Sequence, residues 1–338
     1  MHHGNVPLRI LVTGGAGFIG SHYVRSLLGP GGPADVRLTV LDRLTYAGNP
    51  ANLAAVRDDP RFAFVHGDVC DAGLLDRLVA AHDQVVHFAA ESHVDRSIAG
   101  AADFSRTNVL GTQTLLDALV RHGGRTLVHV STDEVYGSIA TGSWSEDEPL
   151  RPNSPYAATK ASADLIALAF HRTHGLDVRV TRCSNNYGPH QHPEKVIPLF
   201  VTHLLDGRPV PLYGDGSHVR DWLHVDDHVQ GIELVRTGGR PGEVYHIGGG
   251  TELTNKELTG LILEACGAGW ESVEHVPDRK AHDARYSVDC TKIRTELGYR
   301  PRRSFGSGLA ETVAWYRAHR AWWEPLKEGM TCRSTSHS

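Results

Sequence analysis

Tyr156 and Lys160 stand four residues apart in the run Ser154-Pro155-Tyr156-Ala157-Ala158-Thr159-Lys160. In a helix that spacing puts both side chains on one face. A phenol with its ordinary pKa near 10 is a poor base at neutral pH. A neighbouring ammonium favours the phenolate. Such a pair can take the proton of a hydroxyl while the carbon bearing it gives up hydride. A plain i,i+4 surface pair has the same spelling. Asp133-Glu134 offers a second chemistry. Two carboxyl groups in different protonation states can divide proton removal from proton donation. A solvated acidic turn is the plain alternative.

A third candidate is Gly14-Gly15-Ala16-Gly17-Phe18-Ile19-Gly20. The glycines Gly14, Gly17 and Gly20 permit a tight turn and close approach of the backbone to a pyrophosphate. An amphipathic helix follows at once, so Phe18 and Ile19 open a helix whose free N–H groups face the anion. The strand Ile10–Thr13 precedes it, as a dinucleotide fingerprint requires. Asp42 ends the second strand, 22 residues past Gly20. Its carboxylate suits a ribose 2′-hydroxyl and repels a 2′-phosphate, which favours NAD over NADP. Arg43 beside it pulls slightly the other way. Asp68-Val69 follow the third strand, where an adenine contact fits; a helix cap fits equally.

The elements that must position these groups are legible in outline. Strands are expected at Arg9–Thr13, Arg37–Leu41, Arg61–Val65, Gln84–Ala89, Arg125–Ser131, Asp177–Arg182 and Glu243–Ile247. Runs such as Val85-Val86-His87-Phe88-Ala89 read as strands buried on both faces. Helical patterns fill the gaps at Ile19–Leu28, Gly73–Ala81, Asn108–Arg121 and Tyr156–His174. The alternation predicts an α/β fold, a Rossmann-like doubly wound parallel sheet. Past about Asn185 the segments shorten, with loops at Gly188–Glu194, Gly207–Ser217 and Arg236–Gly242. Helices resume at Thr254–Ala265, Cys290–Leu297 and Ser307–Arg320. We assign residues 1–188 and 223–248 to the NAD-binding domain. Residues 189–222 and 249–327 form a smaller, partly interleaved α/β substrate domain, and 328–338 a disordered tail.

Composition excludes several classes. With 338 residues, a net charge of −5 and 39 acids against 34 bases, no basic field exists for nucleic acid or an anionic membrane. The longest apolar runs are strand-sized, and no charged and apolar leader opens the chain. Five cysteines without a CxxC fit reduced thiols and a cytoplasmic setting. His190-Gln191-His192 lacks an acidic or Cys partner at metal-ligand spacing, so no metal site is expected. Trp315, Trp322 and Trp323 read as packing anchors.

Longer runs carry a resemblance. Ala89-Ala90-Glu91-Ser92-His93-Val94-Asp95-Arg96-Ser97, Ser131-Thr132-Asp133-Glu134-Val135-Tyr136-Gly137, Cys183-Ser184-Asn185-Asn186-Tyr187-Gly188-Pro189 and Arg220-Asp221-Trp222 are similar to the dTDP-glucose 4,6-dehydratases. These form a branch of the extended short-chain dehydrogenase/reductase family. The resemblance spans Arg9 to about Leu326. It implies bound NAD, a dTDP-glucose substrate, and three steps: C4 oxidation, loss of water across C5 and C6, and hydride return to C6. Thr132 would hold the 4-hydroxyl, with Asp133 as acid, Glu134 as base, and Tyr156 with Lys160 at C4. Thr45, Ala89, Ala90, Thr107 and Asn186 would approach the cofactor, and Ser92 and Asn185 the sugar.

For the nucleotide and its diphosphate the resemblance implies Lys195, Val196, Pro211, Leu212, Tyr213, Arg220 and Asn255. A guanidinium fork such as Arg220 can pair a diphosphate; an ion pair with Asp221 or Asp215 is the plainer reading. Tyr213 reads equally as core and Lys195 as a surface charge. Arg279, His282 and Tyr286 stay where relatives have them, while Lys280 and Ala281 replace their usual Pro and Gly. That segment either clamps the nucleotide or is a charged surface loop. In the resembling family the helices at 108–121 and 156–174 build a four-helix bundle, which implies a homodimer.

Two other classes compete. A UDP-sugar 4-epimerase uses the same scaffold and the Tyr156–Lys160 chemistry but needs no acid–base pair at C5 and C6. A non-catalytic NAD-binding regulator would keep the glycine loop alone. Asp133 and Glu134 together decide for the dehydratase.

Overall fold

The computed structural model describes residues 6–278 and 282–334, with side chains through 327. Twelve strands occur among these residues: β1 (Leu8–Thr13), β2 (Val36–Asp42), β3 (Phe62–His66), β4 (Gln84–His87), β5 (Thr126–Thr132), β6 (Asp177–Cys183), β7 (Asn185–Tyr187), β8 (Val210–Tyr213), β9 (Val219–His224), β10 (Val244–Ile247), β11 (Glu252–Thr254) and β12 (Val273–Val276). Seven lie side by side and parallel in the order β10-β6-β5-β4-β1-β2-β3. The strand order reverses at β1 and β4, and a doubly wound sheet opens its binding crevice at such a switch point.

Strand alternation explains the two layers of helices. Ile10 and Val12 of β1 pack on one face with helices Phe18–Leu28 and Val225–Gly238. Leu11 points to the other, where helices Ala72–Ala81, Thr112–His122 and Pro155–His174 lie. Both faces are therefore dry, which is why these strands read as continuous apolar runs.

A second core joins Tyr187, Phe200, Trp222, Ile262, Val313 and Trp323. Here β7, β9 and β11 form one small sheet, and β8 with β12 another. Residues 185–187, expected in the first domain, pair instead with Trp222–His224 of β9. The chain leaves the main sheet after Cys183, where Ser184 N donates to Ile247 O at 3.2 Å. Strand β8 lies inside the expected loop Gly207–Ser217, and the helix Val225–Gly238 takes the start of the loop Arg236–Gly242. Helices Val94–Ala99 and Val196–Leu205 were not anticipated. The last helix, Arg320–Ser334, continues through residues 328–334, where the sequence suggests a disordered tail.

Candidate active site

A cleft of about 300 Å³ opens at the carboxyl ends of β1, β2, β4, β5 and β6. Its floor is the glycine turn. Gly14 has φ +70°, and a Cβ there would meet Ala89 N at 2.5 Å. A Cβ on Gly20 would meet Gly14 O at 2.3 Å. Those two are glycines because backbone packs against them. Gly17 differs: a Cβ would have only Gly14 O nearby, at 3.3 Å, and otherwise would fill the cleft. Gly17 also caps the helix Phe18–Leu28 without a side-chain hydrogen bond. This turn has the form that cradles a pyrophosphate, so the residues present fit a dinucleotide.

Asp42 closes the turn. Its Oδ2 accepts from Ala16 N at 2.9 Å and its Oδ1 from Leu44 N at 2.8 Å. Each oxygen keeps a lone pair for a further donor. Burial pushes its pKa up, and the two N–H groups oppose that. Asp68 accepts from Cys70 N at 2.9 Å and faces Arg43 and Arg106 at 3.3 and 3.7 Å. Phe18, Ile19, Thr45, Val69, Ala89, Ala90, Thr107 and Asn186 complete this half of the wall.

The chemistry-bearing groups meet at the other half. Ser154 caps the helix Pro155–His174, accepting from Ala157 N at 3.1 Å, with Pro155 in its first turn. That start fixes Tyr156 and Lys160 on the wall. Tyr156 is buried, and burial with the charges of Glu134, Cys183 and Asp133 raises its phenol well above the usual range. Lys160 Nζ donates to Val130 O at 2.8 Å; burial lowers its pKa. A short 3-10 turn, Asp133–Tyr136, follows β5. Thr132 caps it, its hydroxyl accepting from Glu134 N and donating to Asp133 Oδ1, each at 3.3 Å. Asp133 is 2% exposed, and Glu134 is half-buried. Burial, then Glu134 and Asp221, raise the Asp133 carboxyl well above the usual range, against Arg220. Several buried oxygens here, Asp133 Oδ2 and Asn185 Oδ1 among them, have no hydrogen-bond partner among the described residues. Polar atoms of that kind call for a polar ligand.

Ser92, Asn185 and Lys195 also line the cleft, and Lys195 Nζ donates to Ser92 O at 2.7 Å. Val196, Pro211, Tyr213, Arg220, Asn255, His282 and Tyr286 do not line it. Most of them gather beside it. Arg220 donates to Val219 O at 2.7 Å and to Asp283 O at 2.9 Å, and lies 4.4 Å over the Tyr286 ring. The expected ion pair with Asp221 or Asp215 is absent among the described residues, because carbonyls take the fork and Asp221 binds Gly249 N and Thr251 N. His282 stacks on His218 at 3.8 Å and stands edge-on to Tyr213. Asn255 N donates to His218 O at 2.9 Å. Arg279 lies outside the described residues. Sequence reasoning missed Cys183, Gln191, Glu194 and Trp322 as wall residues. Only Cys183 had a signal, its place in the run Cys183–Pro189.

Comparisons with known proteins give the family. The family model described as GDP-mannose 4,6 dehydratase matches residues 11–312. A dTDP-glucose 4,6-dehydratase of Streptomyces griseus is 69% identical over 317 residues, 94% of this chain and 96% of that one. The crystal structure of DesIV, the dTDP-glucose 4,6-dehydratase of Streptomyces venezuelae with NAD and TYD bound, is 67% identical. It superposes with a TM-score of 0.92 over 94% of this chain and all of its own. A UDP-glucose 4-epimerase of Thermotoga maritima is further away, 34% identical with a TM-score of 0.84 over 92% and 99%.

Proposed function

The chain belongs to the GDP-mannose 4,6-dehydratase family, and from that membership we infer its reaction. It is a hydro-lyase that converts dTDP-glucose to dTDP-4-keto-6-deoxyglucose with NAD, for deoxysugar synthesis. One observation carries this reading above the epimerase: Thr132, Asp133 and Glu134 share a cleft with Tyr156, Lys160 and the glycine turn.

We propose the following roles. Gly14, Gly17, Gly20 and Asp42 hold the dinucleotide. When bound, NAD accepts hydride from C4 and returns it to C6. Tyr156 takes the 4-hydroxyl proton and Thr132 holds that hydroxyl; burial raises the phenol, and the positive nicotinamide of bound NAD together with Lys160 would favour its phenolate. The resulting ketone acidifies the C5 hydrogen. Half-buried Glu134 carries charge at lower desolvation cost than Asp133 and removes that proton. Asp133, kept protonated by burial, donates its proton to the departing 6-hydroxyl. Water leaves; as hydride reaches C6, Glu134 returns a proton to C5, and the cycle is redox-neutral. Arg220, Tyr213, His282, Tyr286 and Asn255 hold the nucleotide beside the cleft.

The protein works in the cytoplasm as a homodimer in this reading. Leu165 on the helix Pro155–His174 and Leu110 in the segment Ser105–Gly111 are 54% and 50% exposed, apolar surface that a second copy would cover. No helix among the described residues is long and apolar enough to cross a membrane. The bases thymine and uracil differ by one methyl, worth about 1–3 kcal/mol in an apolar pocket. Turnover of dTDP-, UDP- and GDP-glucose compared side by side tests the substrate: dTDP-glucose should lead, and a preference for GDP-glucose would overturn the reading.

A further inference from the structure

Trp322 reads from sequence as a packing anchor, yet it stands on the cleft wall with Leu326, one turn further along the helix Arg320–Ser334. The roles above leave both unused. The helix is anchored from behind. Trp323, next to Trp322, is fully buried in the second core, and its Nε1 donates to Tyr316 O at 2.8 Å. Arg320 and Lys327 hold the two oxygens of Asp206 at 2.6 and 2.7 Å.

Two hydrogen bonds join Trp322 to the glycine turn. Its Nε1 donates to Asn52 Oδ1 at 3.0 Å, and Asn52 Nδ2 donates to Ala16 O at 2.9 Å. Asn52 is 3% exposed, so losing either partner leaves a buried amide group unsatisfied. Ala16 O also accepts from Asn49 N at 3.0 Å, and Ala16 N donates to Asp42 Oδ2 at 2.9 Å. The peptide groups on both sides of Ala16, next to Gly17, are therefore fixed, and Trp322 holds the amide that fixes one of them. A side branch runs through His190. Its ring packs 4.4 Å from that of Trp315 and 5.6 Å edge-on to that of Trp322, and Arg25 Nη2 lies 3.4 Å from its Nδ1. Arg25 Nη1 in turn donates to Asn52 O at 2.5 Å. His190 keeps φ +67°, a left-handed backbone that residues with a side chain rarely adopt, and these contacts hold it there.

An anchor alone would need only the packing on the second core, which Trp323 and Tyr316 supply. Trp322 instead directs its N–H to the NAD-binding domain. The proposed cycle gives a reason. Hydride taken at C4 is returned at C6, so a carrier lost in between strands the oxidised sugar. We propose that Trp322 and Leu326 form a clasp that retains the dinucleotide: they wall the cleft, and Trp322 steadies the glycine turn through Asn52. The inference rests on reading the cleft as the NAD site.

The test loads the protein with NAD, removes the excess by gel filtration, and follows the nucleotide still bound with time. Trp322→Phe keeps a ring and loses the N–H, and NAD should leave it about fivefold faster than wild type. Trp322→Ala also loses the wall, and release should be at least about tenfold faster. The cofactor-free Tm of Trp322→Phe should stay within about 3 °C of wild type, which separates retention from folding. During turnover the activity of Trp322→Ala should decay and return when NAD is added. NAD leaving Trp322→Ala at the wild-type rate overturns the proposal; should that variant not fold, the same result in Trp322→Phe does. Wild type that takes up no NAD contradicts the cofactor reading itself. Wild type and variants that take it up and release it alike contradict the clasp alone.

Discussion

Asp133 and Glu134 are neighbours in one 3-10 turn yet stand in different environments: Asp133 is 2% exposed, and Glu134 is half-buried. In the proposed roles, that difference separates two identical functional groups into an acid and a base. Burial raises the Asp133 carboxyl well above the usual range, whereas Glu134, one residue on, keeps more contact with solvent.

The split predicts different blocks in the two amides. Glu134→Gln should still oxidise C4, seen as absorbance of reduced cofactor, and then stall, with dehydration down about a hundredfold to ten-thousandfold. Asp133→Asn should oxidise C4 and also wash deuterium from solvent into C5, because its base is intact, while elimination slows by a comparable factor. If Glu134→Gln turned over normally, the base assignment would be wrong.

Asp133 also predicts a stability change with pH. A carboxyl whose folded pKa is raised stabilises the fold fully below its unfolded value, about 3.9, and loses that contribution as pH rises through the folded value. At pH 8 Asp133→Asn should therefore melt above wild type, by about 2 °C or more. The gap should close near pH 4. Equal melting at pH 8 would contradict the burial argument.

The glycine turn predicts a separation of fold from binding. Gly20→Ala and Gly14→Ala place a Cβ 2.3 and 2.5 Å from backbone and should lower the Tm strongly. Gly17→Ala meets only Gly14 O at 3.3 Å. Its Tm without cofactor should stay within about 3 °C of wild type, while NAD ceases to co-purify.

The dimer reading predicts that Leu165→Asp, alone or with Leu110→Asp, gives a monomer by analytical ultracentrifugation. Both residues are about half exposed, so the chain itself should remain folded. A variant that still sedimented as a dimer would move the interface elsewhere.

The main sheet was legible because its strands are apolar on both faces and alternate with helices, as Ile10, Leu11 and Val12 illustrate. The small sheets were not. Strands β7 and β11 have three residues each, too short for any periodicity, and their partners lie 30 or more positions away. Gly17, Asp42 and Tyr156 were candidates from local spacing, and the structure places all three on the cleft wall. Arg220 could not be placed that way: its partners, the Asp283 carbonyl and the Tyr286 ring, come from a distant segment.

The most direct test is incubation with dTDP-glucose in deuterium oxide, without added NAD, on protein as purified. The account predicts dTDP-4-keto-6-deoxyglucose carrying solvent deuterium at C5, because Glu134 removes that hydrogen, exchanges it with solvent, and returns deuterium to C5 as hydride reaches C6. Recovery of dTDP-galactose with no deuterium at C5 would contradict it.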